Sequence, residues 1–390
     1  MKTRCLTSRV LLPFSPGFGV LLVMLVLGIW GAGCDVSDAG SHTNNDAGTP
    51  DAADILDVQE SDASDDADGG SVDATGFSPG VLDFGGGFAP ENAPFGGFGG
   101  GDCTVTRTPV VFIHGNGDEA RNWDYPSSTG VPAAYSSFRD AGYTECELFG
   151  IQWLSVEERE APAMNYHRPE KAAMIADFVE AVRAYTGASQ VDVVAHSLGV
   201  TVAMHAFEYA DMWPDVRRFI AIAGGMHGLT ACLSVGYATA MAPTFASQNH
   251  LCADIFGFYP HSVTVSNPRM GPEGFRTEPS RQTTLFYSLR AGVHDQILCS
   301  TAGYVTGCGE SALFDSSTGV RAQLNVGHGS TAADVDYDLT DWSWYNTGGG
   351  DLDGVGHFRT KNNTGAIQVH MLTTECEGTT CCGSYNAPCE

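Results

Sequence analysis

Ser197, in the run Ala195-His196-Ser197-Leu198-Gly199, has the surroundings of a nucleophile. A β-rich run, Val191 to Ala195, precedes it, and an amphipathic stretch, Gly199 to Ala210, follows it. A strand-to-helix turn this tight needs small residues two places away on either side. It lifts the Ser hydroxyl to the N-terminus of the next helix. The plain alternative is a Ser that caps an ordinary turn. Acyl transfer at Ser197 also needs donors for an oxyanion. His114-Gly115-Asn116-Gly117-Asp118 follows the apolar run Pro109 to Ile113, where the Asn116 N–H can supply one donor and the Leu198 N–H the other. The acid and base should follow in the order Ser, Asp, His. Asp295 lies just past the strand-like Thr283 to Leu289, with Asp315 as its rival. His357, in Gly354-Val-Gly-His357-Phe, sits in a Gly-rich loop before a short helix, with His328 as runner-up. His370 and His196 read as structural, His196 facing away from Ser197. In this arrangement His357 takes the Ser197 proton and Asp295 orients the imidazole. A neutral His357 is needed, so activity should fall as pH drops through the upper acid range.

These residues require a scaffold of alternating strands and helices. Pro109–Ile113, Val191–Ala195, Arg218–Ala223 and Thr283–Leu289 read as strands. Pro132–Ala141, Pro169–Tyr185 and Gly199–Ala210 read as helices. In the second of these, Ala172, Ile175, Phe178, Val179 and Val182 recur at three- and four-residue steps. The pattern predicts an α/β fold, a mostly parallel sheet with helices on both faces.

The chain's ends read differently. Lys2, Arg4 and Arg9 precede an apolar run, Val20 to Trp30, that ends in Gly31-Ala32-Gly33-Cys34. This is the layout of an export signal over 1–34. Cys34 is a candidate lipidation site, and the alternatives are cleavage near Gly33 or an uncleaved anchor. Residues 35–84 read as an acidic tether: 35–106 hold 15 Asp and Glu and no Lys or Arg. The catalytic domain is then 85–390. The stretch at this junction, Phe84 to Gly101, is rich in Gly and Phe, and is expected to cross the domain as irregular coil with its rings buried. The whole chain has 19 Lys and Arg against 46 Asp and Glu, a net charge of −27, which excludes nucleic-acid binding through a general basic field. With 43% hydrophobic residues it is not a disordered chain. Apart from Cys5 and Cys34, ten Cys remain, an even number suited to disulfides in an exported protein. Cys299–Cys308 and Cys376–Cys381 are candidate local pairs, and the connectivity stays open. Zinc is the competing use, but no Cys-x2-Cys pair repeats.

From Gly85 to Cys381 the sequence resembles extracellular poly(3-hydroxybutyrate) depolymerases of the lipase-like α/β-hydrolase type, which attack amorphous polymer. The resemblance rests on Gly87-Phe-Ala-Pro90, Gly96 to Gly101, Val111 to Asp118, Asn165-Tyr-His167, Val194 to Gly199, Asp295-Gln296 and Gly354 to Lys361. It implies an α/β-hydrolase fold, a triad of Ser197, Asp295 and His357, and an oxyanion hole of Asn116 and Leu198. It also implies that Tyr166 lies at the mouth of the site, and that an insertion over about 225–280 shapes the substrate surface with Tyr237, Phe258 and Tyr259. The acidic tether and Cys34 depart from the family pattern. Three readings follow: a polyester depolymerase, a lipase or carboxylesterase on lipid or small esters, and a non-catalytic surface binding protein, which the intact set of site residues argues against. The first two imply a polyester or lipid-ester substrate. No metal or organic cofactor is implied. The protein is expected to be extracellular or on the cell surface, to meet a membrane only through an N-terminal lipid, and to be a monomer.

Overall fold

Apolar, β-branched runs become the centre of a sheet in the computed structural model of this chain. It describes residues 82–125, 131–165, 167–228, 283–295, 297–298, 308–314, 319–328, 355–385 and 388–390. Strands β2 (Val110–Ile113) and β4 (Val191–His196) are buried at every position, and β5 (Val216–Ile222) at all but one. Such runs suit strands covered on both faces. With β1 (Gly97–Phe98), β3 (Leu148–Ile151), β6 (Leu285–Arg290) and β7 (Val320–Asn325) they form one sheet in the order β1-β3-β2-β4-β5-β6-β7. Every neighbouring pair is parallel except β1 with β3.

Strand alternation sends successive side chains to opposite faces. Val111, Ile113, Val193 and Ala195 therefore join α3 (Pro169–Thr186) and α4 (Leu198–Tyr209) in one apolar cluster. Val110, Phe112, Val194 and Ile220 join α1 (Ala134–Asp140) and α6 (Gly365–Thr373) in the other. Helix α3 starts with Pro169 in its first turn and stops at Gly187, whose φ of 67° favours glycine. Two short helices, α2 (Val156–Glu160) and α5 (His357–Asn362), complete the set used below. The four strands and three helices expected from the sequence all form, with ends shifted by one or two residues.

Strands β1, β3 and β7 are additions to that reading. β1 corrects the expectation of coil throughout the Gly/Phe stretch. It pairs because Gly150 of β3 leaves room for Phe98: a Cβ there would lie 2.2 Å from the Phe98 ring. Phe88 and Phe98 are buried, whereas Phe95 is 40% exposed beneath the Lys171 ammonium.

Disulfides Cys103–Cys146, Cys376–Cys381 and Cys382–Cys389 are present among the described residues. The second is one of the two candidate local pairs. Cys299, the partner expected for Cys308, lies outside the described residues. The C-terminal tail is tied to β7, where the N–H groups of Asn325 and Glu390 each donate to the other's carbonyl.

The order of strands positions the site. The chain leaves β2 for β3 on one side and returns to β4 on the other. Neighbouring crossovers diverge between β2 and β4, and open parallel sheets bind ligands at the carboxyl ends of the strands at such a switch. Ile113 and Ala195 are register partners there, so the turns that follow them, at His114 and Ser197, emerge side by side.

Candidate active site

Ser197 occupies a strained turn between β4 and α4, with φ 55° and ψ −128°. A non-glycine residue in that region persists only where its surroundings fix it, and such strain clusters at functional sites. The close neighbours explain the small residues. A Cβ on Gly199 would lie 2.3 Å from the His114 carbonyl oxygen, and a Cβ on Gly115 would lie 2.9 Å from the Ser197 Cβ. The loop after β2 therefore lies against the Ser197 turn. Ser197 retains 8% exposure, while its neighbours on the strand have at most 1%.

Asp295 and His357 come together from the other half of the sheet. Asp295 follows the 3-10 turn Gly292–His294 after β6, and His357 is the first residue of α5. Both are buried, and both Asp295 carboxylate oxygens lie 2.9 Å from His357 Nδ1. The carboxylate accepts, so Nδ1 carries the proton and Nε2 keeps the lone pair. Asp295 is itself oriented, since its Oδ1 accepts from the N–H groups of Ile297 (3.0 Å) and Leu298 (2.7 Å).

His196 joins this pair to the Ser197 turn. Its Nε2–H donates to the His357 carbonyl at 3.1 Å, and the two rings lie 4.8 Å apart. Burial, reinforced by the neighbouring His357, holds His196 well below the usual imidazole range, so it is a neutral strut. His196 is structural, as the sequence suggests. It is not turned out of the site, however, because it packs directly on the expected base. His328, the rival base, forms a backbone bridge with Val355, two residues before His357, and so backs the same loop. His370 lies in α6 beside Gly383 of the tail.

His114 sets the loop after β2. It is fully buried, and its Nδ1–H donates to its neighbour's carbonyl, Gly115 O, at 2.8 Å. Its Nε2 accepts from the Trp153 N–H at 3.3 Å, and the Trp153 indole donates to the His114 carbonyl at 2.9 Å. Burial lowers the His114 pKa to about 4, which keeps Nε2 an acceptor at neutral pH. C=O and N–H point in opposite directions across a trans peptide. Holding the Gly115 carbonyl toward His114 therefore turns the Asn116 N–H away from that ring. The Leu198 N–H belongs to the first turn of α4, where helix geometry leaves donors without an intrahelical partner.

A second buried link runs from this loop to α5. Lys361 Nζ donates to Asp118 Oδ2 at 2.8 Å, and both side chains are buried. The other Asp118 oxygen accepts from the Glu119 N–H and the Asn122 side chain, both at 2.7 Å, and the ammonium lies 5.3 Å from the Trp123 ring centre. The pair fastens the loop after β2 to the helix that begins with His357.

Residues 107–259, which run from the approach to β2 through the Ser197 turn and past β5, match the sequence profile of the lipase (class 2) family. The mostly parallel sheet, with helices packed on both faces, is that of an α/β-hydrolase fold. None of the curated proteins matches its sequence. Among solved structures it is similar to lipase B of Aspergillus fumigatus, at 16% identity and a TM-score of 0.43, covering 72% of this chain and 57% of that one. It is also similar to the Bacillus licheniformis lipase BlEst2 in its propeptide form, at 17% identity and a TM-score of 0.41, covering 71% of this chain and 53% of that one. The chain thus spans little more than half the length of either lipase.

In this fold the structure brings together Asn116, Ser197, Leu198, Asp295 and His357 at one end of the sheet. Tyr166, Tyr237, Phe258, Tyr259, Cys34 and the rival acid Asp315 lie outside the described residues. Among the described residues no group of three or more His, Cys, Asp or Glu side chains is arranged to hold a metal ion. His114, His196, Asn165, His167 and the Asp118–Lys361 pair enter the site without having been singled out from the sequence as site residues. Their signal was present in the motifs that carry them. Asp118 ends one of those runs, Lys361 ends another, and Asn165 and His167 flank Tyr166 in a third.

Proposed function

We propose that this protein is an exported serine ester hydrolase and that its substrate is poly(3-hydroxybutyrate). The observation that carries the reading is the strained Ser197 turn, joined through His196 to a buried, hydrogen-bonded Asp295–His357 pair. In the mechanism His357 Nε2 removes the Ser197 proton as Oγ attacks the ester carbonyl. Asp295 holds the proton on Nδ1 and stabilises the imidazolium that forms. The N–H groups of Asn116 and Leu198 receive the oxyanion, each worth about 10²–10³ in rate. His357 then returns the proton to the leaving alkoxide, and water activated by the same imidazole hydrolyses the acyl-enzyme.

The polymer assignment rests on the resemblance of the Val111–Asp118 and Gly354–Lys361 runs to depolymerases. Export is supported by the layout of residues 1–34 and by disulfides, which persist in oxidising compartments. The mass of the mature N-terminal peptide decides between a lipidated Cys34 and a free terminus near Gly33, and an intact Met1 would overturn cleavage altogether. A second reading, lipase or carboxylesterase, is favoured by the match of residues 107–259 to class 2 lipases.

The deciding experiment incubates the full-length chain, beside Ser197→Ala, with amorphous poly(3-hydroxybutyrate) granules and with tributyrin. Clearing of granules by the wild type alone is the expected result. Tributyrin turnover without clearing would move the assignment to a lipase or esterase. Equal activity in Ser197→Ala would remove the nucleophile and the mechanism with it.

A further inference from the structure

One short segment reaches both sides of the oxyanion hole. Asn165 Nδ2 donates to Asn116 Oδ1 at 2.7 Å and to the Glu158 carbonyl at 2.7 Å. The Asn116 Nδ2 in turn donates to the Pro162 carbonyl at 2.8 Å. Residues 162–165 therefore hold the donor and the acceptor of the Asn116 amide at once. Two residues further on, His167 Nε2 lies 2.6 Å from Thr201 Oγ1. The Thr201 hydroxyl donates to the Leu198 carbonyl at 3.1 Å, so its oxygen is the acceptor and the imidazole donates to it. Asn165, His167 and Thr201 are all buried. Thr201 stands in the first turn of α4, which begins with Leu198.

The two oxyanion donors come from different elements. Asn116 lies in the loop after β2, and Leu198 opens α4. An oxyanion hole works only when both N–H groups aim at the point where charge develops, and small displacements from that geometry are costly in rate. We propose that Asn165 and His167 are positioning residues that set the spacing of the Asn116 and Leu198 N–H groups. Asn165 acts through the Asn116 side chain. His167 acts through Thr201 on the first turn of α4. The proposal rests on the hydrolase reading above and deepens it: stabilisation of the transition state depends on a segment that lies outside the triad.

The test uses the full-length chain with p-nitrophenyl butyrate as a soluble ester and butaneboronic acid as a mimic of the tetrahedral adduct. Asn165→Ala and His167→Ala remove the two ties. Thr201→Val removes the hydroxyl that His167 holds, with little change in shape. Thermal unfolding by circular dichroism identifies variants that fold, and Thr201→Val carries the test if either alanine variant does not. The expected result is a fall in kcat of about 10- to 100-fold, below the loss of a whole donor. KM should stay within about twofold, which is how an interaction made in the transition state reads. Boronate affinity should weaken by the same factor as kcat, and the pH at half-maximal kcat should not move. Folded variants with wild-type kcat would overturn the proposal. So would a loss of kcat with boronate affinity intact, which would make the segment a general structural support. A wild type inert toward the ester would overturn the hydrolase reading itself, and this inference with it.

Discussion

The two ends of the parallel sheet bury similar polar residues in different ways. At the amino ends, Glu147 sits just before β3, and its carboxylate accepts from the N–H groups of Thr106, Arg107 and Thr144 and from the Thr106 hydroxyl. Burial pushes its pKa up, but those bonds outweigh burial and hold it below the usual carboxylate range. Asp192, early in β4, is clasped by the Arg217 guanidinium, yet burial still raises its pKa to about 6. At the carboxyl ends, Asp295 gives Oδ1 to two backbone N–H groups and still meets His357. His114 and His196 are neutral imidazoles that hold a carbonyl beside the Ser197 turn. Groups at the amino ends are surrounded by partners that stop with them. Groups at the carboxyl ends are tied to the scaffold as well, but they stand beside Ser197 and His357.

That contrast predicts opposite outcomes for one chemical change. In Asp295→Asn the remaining oxygen stays on the Ile297 and Leu298 N–H groups, and the new NH2 faces His357 Nδ1. This forces the proton onto Nε2 and removes the base. The expected loss of kcat is about 10⁴-fold with the fold retained. Glu147→Gln presents an NH2 to donors, costs about 1–3 kcal/mol of stability and leaves kcat of the folded enzyme alone. Steady-state kinetics and urea unfolding of both variants check this. A Glu147→Gln enzyme that is stable but slow would erase the distinction.

Lys361→Met is the next largest effect. It leaves Asp118 charged and buried in the loop after β2, at a cost of about 3–5 kcal/mol. Because Lys361 lies on the helix that begins with His357, kcat should fall with stability. Asp118→Asn combined with Lys361→Met removes both charges and should recover much of the stability. Urea unfolding of the single and double variants measures the coupling, and equal losses in both would show that the pair is not the linkage.

A pH dependence of stability sharpens the same point. The His114 pKa is lowered by burial from 6.5 to about 4. Below pH 6.5 the unfolded chain takes up this proton and the folded one does not. The stability is therefore whole above pH 6.5 and is lost as pH falls toward 4, by about 3 kcal/mol for this residue. His114→Asn should lose that much less between pH 7 and pH 4 in urea titrations. An unchanged slope would assign the loss elsewhere.

Much of this site was legible in the sequence, because some of its constraints are local. The Ser197 turn needs small neighbours, and Ala195 and Gly199 supply them next to a β-run and a helix pattern. Asp295 and His357 follow in the chain order that the sheet topology dictates. β3 escaped because Gly150 interrupts a four-residue run, and β7 because Arg321, Gln323 and Asn325 alternate with its apolar positions. The ties made by His196, Asn165, His167 and Lys361 escaped for another reason. Each partner lies far along the chain, and nothing in the local sequence says which loop will cover a buried imidazole or amide.

The smallest predicted effect tests the amino-end side of the comparison. Arg218 is buried, and its Nη1 donates to the carbonyls of Met371 and Thr374 at 2.5 Å, at the end of α6. Its Nη2 pairs with Glu375, whose side chain is 80% exposed. The two carbonyls accept the guanidinium whether or not the carboxylate is there, and water screens the exposed partner. Glu375→Ala should therefore cost less than about 1 kcal/mol and shift neither kcat nor KM. The loss should shrink further in salt, since the pair is partly in solvent. A cost near that of Lys361→Met, insensitive to salt, would mean that this ion pair bears weight like the Asp118–Lys361 pair. The two ends of the sheet would then differ in chemistry but not in how their charges are held.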